Sequence, residues 1–265
     1  MYADSHCHLS FPELHARLDE VYAAMAAARV ERALVISTTL EEFDTVHAIV
    51  QRHPGLWASA GVHPDNEGVR EPGLDDLLAL AARPRVVAIG ETGLDYYRLG
   101  SRSVADMAWQ RERFRVHIHA ARACGKPLVV HTRAAGADTL AILREEGAAA
   151  VGGVFHCFTE TAEVARAALD LGFHISFSGI VTFRNADELR AVARLVPEER
   201  LLIETDSPYL APAPHRGKVN DPSKVPLVAA RLAAERGVAV EQLAAATWAN
   251  FNRLFSLPGS AEGSA

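Results

Sequence analysis

Short apolar runs rich in β-branched residues recur along the chain as "YADSH", "RALVIS", "WASAG", "VVAIG", "PLVVH", "VGGVFH", "FHISF" and "LLIET". Their length and composition predict strands. The stretches between them include "LDEVYAAMAAARV", "EEFDTVHAIVQRH", "LDDLLALAAR", "MAWQRERFRVHIHAARACG", "ADTLAILREEG", "TAEVARAALDLG" and "ADELRAVARLV". In each, apolar positions return at helical spacing, which predicts an amphipathic helix. Glycine or proline punctuates the helix ends, as at Gly125 with Pro127, Gly147 and Gly172. Strand and helix alternate with no break in composition and no Ser/Gly-rich linker. This predicts an α/β fold with a single domain, a (β/α)8 TIM barrel over residues 1–257, rather than two doubly wound domains. The segments "SKVPLVAARLAAERG" and "AVEQLAAATWANFNRLF" read as terminal helices that close the outer ring. Residues 258–265, "PGSAEGSA", are expected to form a disordered tail.

Composition narrows the function classes. With 265 residues and 49% hydrophobic content the chain can bury a large core. A net charge of −6 argues against a protein that coats duplex DNA, because such affinity comes from neutralising many phosphates. Any nucleic-acid contact is therefore expected to be local. Lysine occurs only at Lys126, Lys218 and Lys224, so positive charge is carried mostly by arginine, the better fork for phosphate. Cys7, Cys124 and Cys157 have no CxxC spacing, which disfavours a disulfide framework and predicts a reducing compartment, the cytoplasm. No charged start followed by an apolar run, and no apolar stretch of about 18 residues, suggests export or membrane insertion. Nothing in the pattern implies an obligate protein partner.

Candidate chemistry gathers at the carboxyl ends of the predicted strands, where barrels of this type carry their sites. His6 and His8, in "DSHCH", are two apart on a strand and so face one side together, with Cys7 facing away. His117 and His119 share that spacing within a predicted helix, where such positions diverge, and read as structural. His63 follows the third strand and Glu91 the fourth; His131 closes the fifth, His156 closes the sixth, and Asp206 follows the eighth. Singly, each has an ordinary reading as a hydrogen-bonded histidine or a helix-capping acid. Jointly they share one rim, whereas His15, His47, His53 and His174 fall elsewhere. Imidazoles and carboxylates without thiolates suit zinc, manganese or magnesium. So many donors exceed the needs of one open catalytic ion, so two divalent ions are expected, with Glu91 as the natural bridge.

The blocks "DSHCHL", "GVHP", "GETGLDYY", "KPLVVHTRAA", "VFHCF", "SFSGIVTFRNA", "LLIETDSPYL" and "HRGKVNDPSKV" resemble, in order and over nearly the whole chain, the TatD family of metal-dependent hydrolases. The resemblance implies a barrel with a dinuclear divalent site that hydrolyses DNA phosphodiesters, acting as a 3′ to 5′ exodeoxyribonuclease. Carried over by position, His6, His8, Glu91 and Asp206 would hold one metal, and Glu91, His131 and His156 the other. The chain departs from the family pattern at Asp65, where a second histidine is usual, at Thr159 and Glu160, and at Ala137, where an acid is usual.

A two-metal site activates water and stabilises charge on both attacking and leaving oxygens. Asp206 and Glu91 are the expected catalytic residues, Asp206 as the group that orients the attacking water or accepts its proton. Candidate contacts to single-stranded DNA or DNA 3′ ends are His63, Arg133, Arg184, Asn185, Tyr209 and Arg216, with Lys218 in the same loop as Arg216 and Tyr96, Tyr97 and Phe183 as further stacking surfaces. Two alternatives stay open. The same activated water could hydrolyse an ester or amide, such as an aminoacyl-tRNA ester. A non-catalytic metal-binding barrel is the third reading. Lys126 precedes Pro127 at the start of the fifth strand, which disfavours a carbamylated-lysine bridge.

Overall fold

The computed structural model describes residues 1–257; the tail expected to be disordered, residues 258–265, lies outside the described residues. Among the described residues the chain runs β1 (Tyr2–Cys7), α1 (Pro12–His15), α2 (Leu18–Ala27), β2 (Val30–Val35), α3 (Phe43–Arg52), β3 (Leu56–Ala60), α4 (Leu74–Ala81), β4 (Val86–Asp95), α5 (Ala108–Cys124) and β5 (Leu128–Arg133). It continues through α6 (Gly136–Glu145), β6 (Gly153–Phe155), α7 (Ala162–Asp170), β7 (His174–Phe177), α8 (Asp187–Leu195), β8 (Leu201–Ile203), α9 (Val225–Arg236) and α10 (Val240–Leu254). The eight strands form one sheet in sequence order, each pair of neighbours parallel. A parallel sheet in sequential order with a helix after nearly every strand is the (β/α)8 barrel.

The barrel is nearly closed, and the closing contacts bear on function. Cys7 and Ser207 form a parallel bridge. His8 N–H donates to Ser207 O (2.8 Å) and Asp206 N–H to His6 O (2.9 Å). The buried Asp4 carboxylate accepts from His6 N–H, Thr205 N–H and the Thr205 hydroxyl. These bonds tie the first strand to the loop after the eighth, so residues about 200 positions apart meet at one edge.

Strand alternation divides the core. Ala33 and Val35 of β2 face the helices, whereas Leu34 and the following Ile36 turn inward to join Ala88, Val129, Val154 and Leu202 over Phe251 of α10. The same period of two carries this apolar interior into a polar mouth. His131 stands two residues after Val129, His156 two after Val154 and Glu204 two after Leu202. Glu91, expected just after the fourth strand, lies within β4, because Thr92 to Asp95 continue to pair with β5.

Candidate metal centre

Glu91 is the hub of the mouth, 2% exposed, and its two oxygens face different neighbours. Oε2 lies 3.3 Å from His6 Nε2 and 3.9 Å from His8 Nε2. The same two imidazole nitrogens are 3.2 Å apart and stand 3.7 and 3.3 Å from Asp206 Oδ1. Oε1 lies 2.7 Å from His156 Nε2, 3.1 Å from His131 Nδ1 and 3.2 Å from His63 Nε2. His131 Nδ1 and His156 Nε2 are 3.4 Å apart. Donors bound at about 2.0–2.2 Å around one tetrahedral ion are separated by about 3.3–3.6 Å. The first set, at 3.2–3.9 Å, brackets the spacing of a cation's ligand shell; the second is drawn tighter, with His156 at hydrogen-bond distance from Glu91.

Hydrogen bonds fix which nitrogen each imidazole turns inward. His156 Nδ1 is 3.3 Å from the buried Glu204 carboxylate and Nε2 is 2.7 Å from that of Glu91, so with a cation at Nε2 the Nδ1 proton is donated to Glu204. His131 is held the other way round: Nε2 donates to Asp95 Oδ2 (3.0 Å), which leaves Nδ1 facing Glu91. Two imidazole nitrogens thus converge on one carboxylate oxygen, an arrangement that calls for a proton or a metal ion between them. Glu91 Oε2, buried and accepting no hydrogen bond, fits the same account. His63 differs. Its Nδ1 accepts Asp65 N–H (3.0 Å), so Nε2 bears the proton and His63 enters the mouth as a donor.

Charge follows the geometry. Burial alone would push the Glu91 carboxyl up, but His156, His63 and His6 outweigh it and hold it well below its ordinary value. Burial opposes protonation of His156, yet Glu91 and Glu204 raise it well above the usual imidazole range. For Asp206, burial is likewise overcome by the His8 hydrogen bond, and its carboxyl is lowered. The mouth sets carboxyls held low against an imidazole held high.

The six donors expected from the sequence, His6, His8, Glu91, His131, His156 and Asp206, fall together, and His63 joins them through Glu91. The other expected contacts lie outside the donor cluster. Arg133 is exposed, its guanidinium 3.7 Å above the Tyr97 ring. Tyr209 is 54% exposed and meets Phe11 edge-on at 6.1 Å. Arg184, Asn185 and Arg216 line an open cleft of about 1170 Å³ alongside Phe183, on which Arg216 stacks at 4.0 Å; none of the six donors lines it. Sequence reasoning missed Asp95 and Glu204. Both were within reach of the period of two: Glu91, Gly93 and Asp95 alternate along β4, and Leu202, Glu204 and Asp206 alternate along the eighth strand and its exit.

Known proteins agree with this architecture. The family described as "TatD related DNase" matches residues 3–256. The metal-dependent hydrolase YcfH of Escherichia coli K12 is 52% identical over 97% of this chain and 96% of its own. A protein of Cronobacter turicensis named "3'-5' ssDNA/RNA exonuclease TatD" is 38% identical over 89% of this chain and 91% of its own. The crystal structure of YJJV, a TatD homologue from Escherichia coli K12, superposes with a TM-score of 0.89 at 27% identity, covering 97% of this chain and 98% of that one. With one match spanning nearly every described residue and a donor cluster at the barrel mouth, the chain belongs to the TatD-related DNase family of metal-dependent hydrolases.

Proposed function

We propose that the protein is a 3′ to 5′ exodeoxyribonuclease that removes nucleotides from DNA 3′ ends with two divalent ions. In this reading His6, His8, Glu91 and Asp206 hold one ion, and Glu91, His131 and His156 hold the other. The observation that carries it is the division of Glu91, whose oxygens face two separate imidazole sets. The family membership and the exonuclease named among the relatives support the choice of a phosphodiester. Three free cysteines suit a reducing compartment, the cytoplasm, as the place of work.

Two ions, when bound, lower the pKa of a water and stabilise the charge that develops on the attacking and leaving oxygens. The chain's residues do the rest. Asp206 accepts the proton of the attacking water as its oxygen bonds to phosphorus. The bond from phosphorus to the 3′ oxygen breaks, releasing a 5′-nucleotide, and the shortened strand's 3′ oxygen takes a proton from solvent. His63, with its proton fixed on Nε2, donates to a non-bridging phosphate oxygen. Arg133, Arg184, Asn185, Tyr209 and Arg216 hold the strand around the mouth.

The test pairs metal analysis with digestion of a 3′-labelled single-stranded oligonucleotide. The wild type is expected to carry two ions per chain and to shorten the strand from its 3′ end. Glu91→Ala is expected to lose metal and to slow cleavage by more than about 100-fold, beyond the loss of an outer partner. Undiminished cleavage by Glu91→Ala would remove the proposal.

A further inference from the structure

Tyr97 is the most exposed large apolar side chain among the described residues, at 61%, so packing gives it no reason to be there. It is nevertheless held in place. Its N–H donates to Asp95 Oδ1 (2.9 Å), while Asp95 Oδ2 takes the proton of His131 Nε2 (3.0 Å). The preceding Tyr96 is buried, its hydroxyl donating to Asp138 (2.9 Å) and accepting from Arg111 (3.1 Å), and its N–H bonds Arg133 O. Register places Asp95 opposite Arg133 across β4 and β5. The Arg133 guanidinium lies over the Tyr97 ring at 3.7 Å and makes no ion pair among the described residues. One carboxylate thus ties the backbone of the residue that carries an exposed ring to an imidazole of the donor cluster, and the Arg133 guanidinium lies over that ring.

We infer that Tyr97, backed by Arg133, is a nucleobase-binding surface for the nucleotide next to the scissile phosphate. The exposed face of the ring stacks on the base and the guanidinium meets the adjoining phosphate. Every base has a π-face, so stacking of this kind tolerates sequence while requiring a base. The inference rests on the proposed action at DNA ends and narrows it: the enzyme recognises a stacked nucleotide, and a small ester that lacks a base gains nothing from this surface.

The test is a double-mutant cycle on the metal-loaded protein. One axis is Tyr97→Ala; the other is an oligonucleotide whose two 3′-terminal nucleotides are abasic. KM comes from cleavage, and Kd from fluorescence anisotropy with a phosphorothioate version of each strand. Tyr97→Ala is expected to raise KM and Kd by about 10- to 100-fold on the intact strand. Tyr97→Trp is expected to restore them, and the two losses are expected not to add, because each removes the same stack. Equal Kd and KM for wild type and Tyr97→Ala, or fully additive losses, would overturn the inference even if cleavage is rapid. Tyr97-dependent binding without cleavage would instead remove the nuclease reading and keep the surface.

Discussion

Glu91 shows how a few atoms set the character of the mouth. A carboxylate taken out of water is costly unless it is paired, and here it is paired on both sides by imidazoles from four strands or their exits. Those imidazoles can serve only if the right nitrogen points inward, which Asp95 and Glu204 decide for His131 and His156. Outer partners of this kind typically contribute 10- to 100-fold in metal affinity. Glu204→Gln, which keeps the shape and removes the charge, is expected to weaken binding of the ion proposed for His131 and His156 by about that factor, with the other proposed ion retained. Metal retention under graded chelator competition, counted per chain, measures this; two equally tight ions in the variant would make Glu204 a core polar group and nothing more.

At the scale of elements, β4 and β5 do the positioning, and glycine makes their approach possible. A Cβ at Gly93, where φ is +135°, would fall 2.0 Å from the carbonyl oxygen of His131. That oxygen belongs to the backbone and cannot swing aside. Gly93→Ala is expected to force the strands apart and to cost on the order of 3 kcal/mol of stability, read from urea unfolding. Gly100 provides the contrast: φ is +62° but nothing lies within 4 Å of its added Cβ. Gly100→Ala is expected to cost only about 1 kcal/mol, through the backbone alone. Comparable losses in the two variants would mean that the close approach of β4 to β5 is not what holds His131 in place.

For the whole molecule, stability against acid depends on a histidine outside the donor cluster. His117 of α5 is buried, donates from Nδ1 to Arg113 O (2.8 Å) and accepts Val62 N–H at Nε2 (3.0 Å). Protonation would set N–H against N–H, and burial holds the group down to about 4 from an ordinary 6.5. Because the folded value lies below the unfolded one, the unfolded chain takes up this proton first. The contribution is intact above about pH 6.5 and is lost progressively as pH falls toward about 4. By about pH 5 the loss reaches roughly 2 kcal/mol. Denaturant unfolding across this range is expected to show a steeper fall for the wild type than for His117→Gln; parallel curves would contradict the role given to His117.

Much of the architecture was legible in the order of residues because the signals are local. A period of two in "PLVVH" and a period of 3.6 in "ADTLAILREEG" are written within a few residues, and so is the convergence of His6 and His8 on one strand face. The alternation predicted the barrel, and the barrel rule placed the ionisable residues at one end, which is why the six donors could be singled out. Other features depended on distances between strands, which local order does not record. That Glu91 sits inside β4, that its two oxygens divide the imidazoles, and that Asp95 and Glu204 select opposite nitrogens of His131 and His156 all follow from register and closure. The same holds for His63, whose proton is placed by the backbone N–H of Asp65 and whose nearness to Glu91 joins β3 to β4. Sequence by itself determined which side chains line each strand and at which end, since that needs only the chain's own periodicity. Tertiary structure decided which atoms meet, since a lone pair, a proton and a carboxylate are set to within tenths of an ångström only when strands from the two ends of the chain are bonded edge to edge.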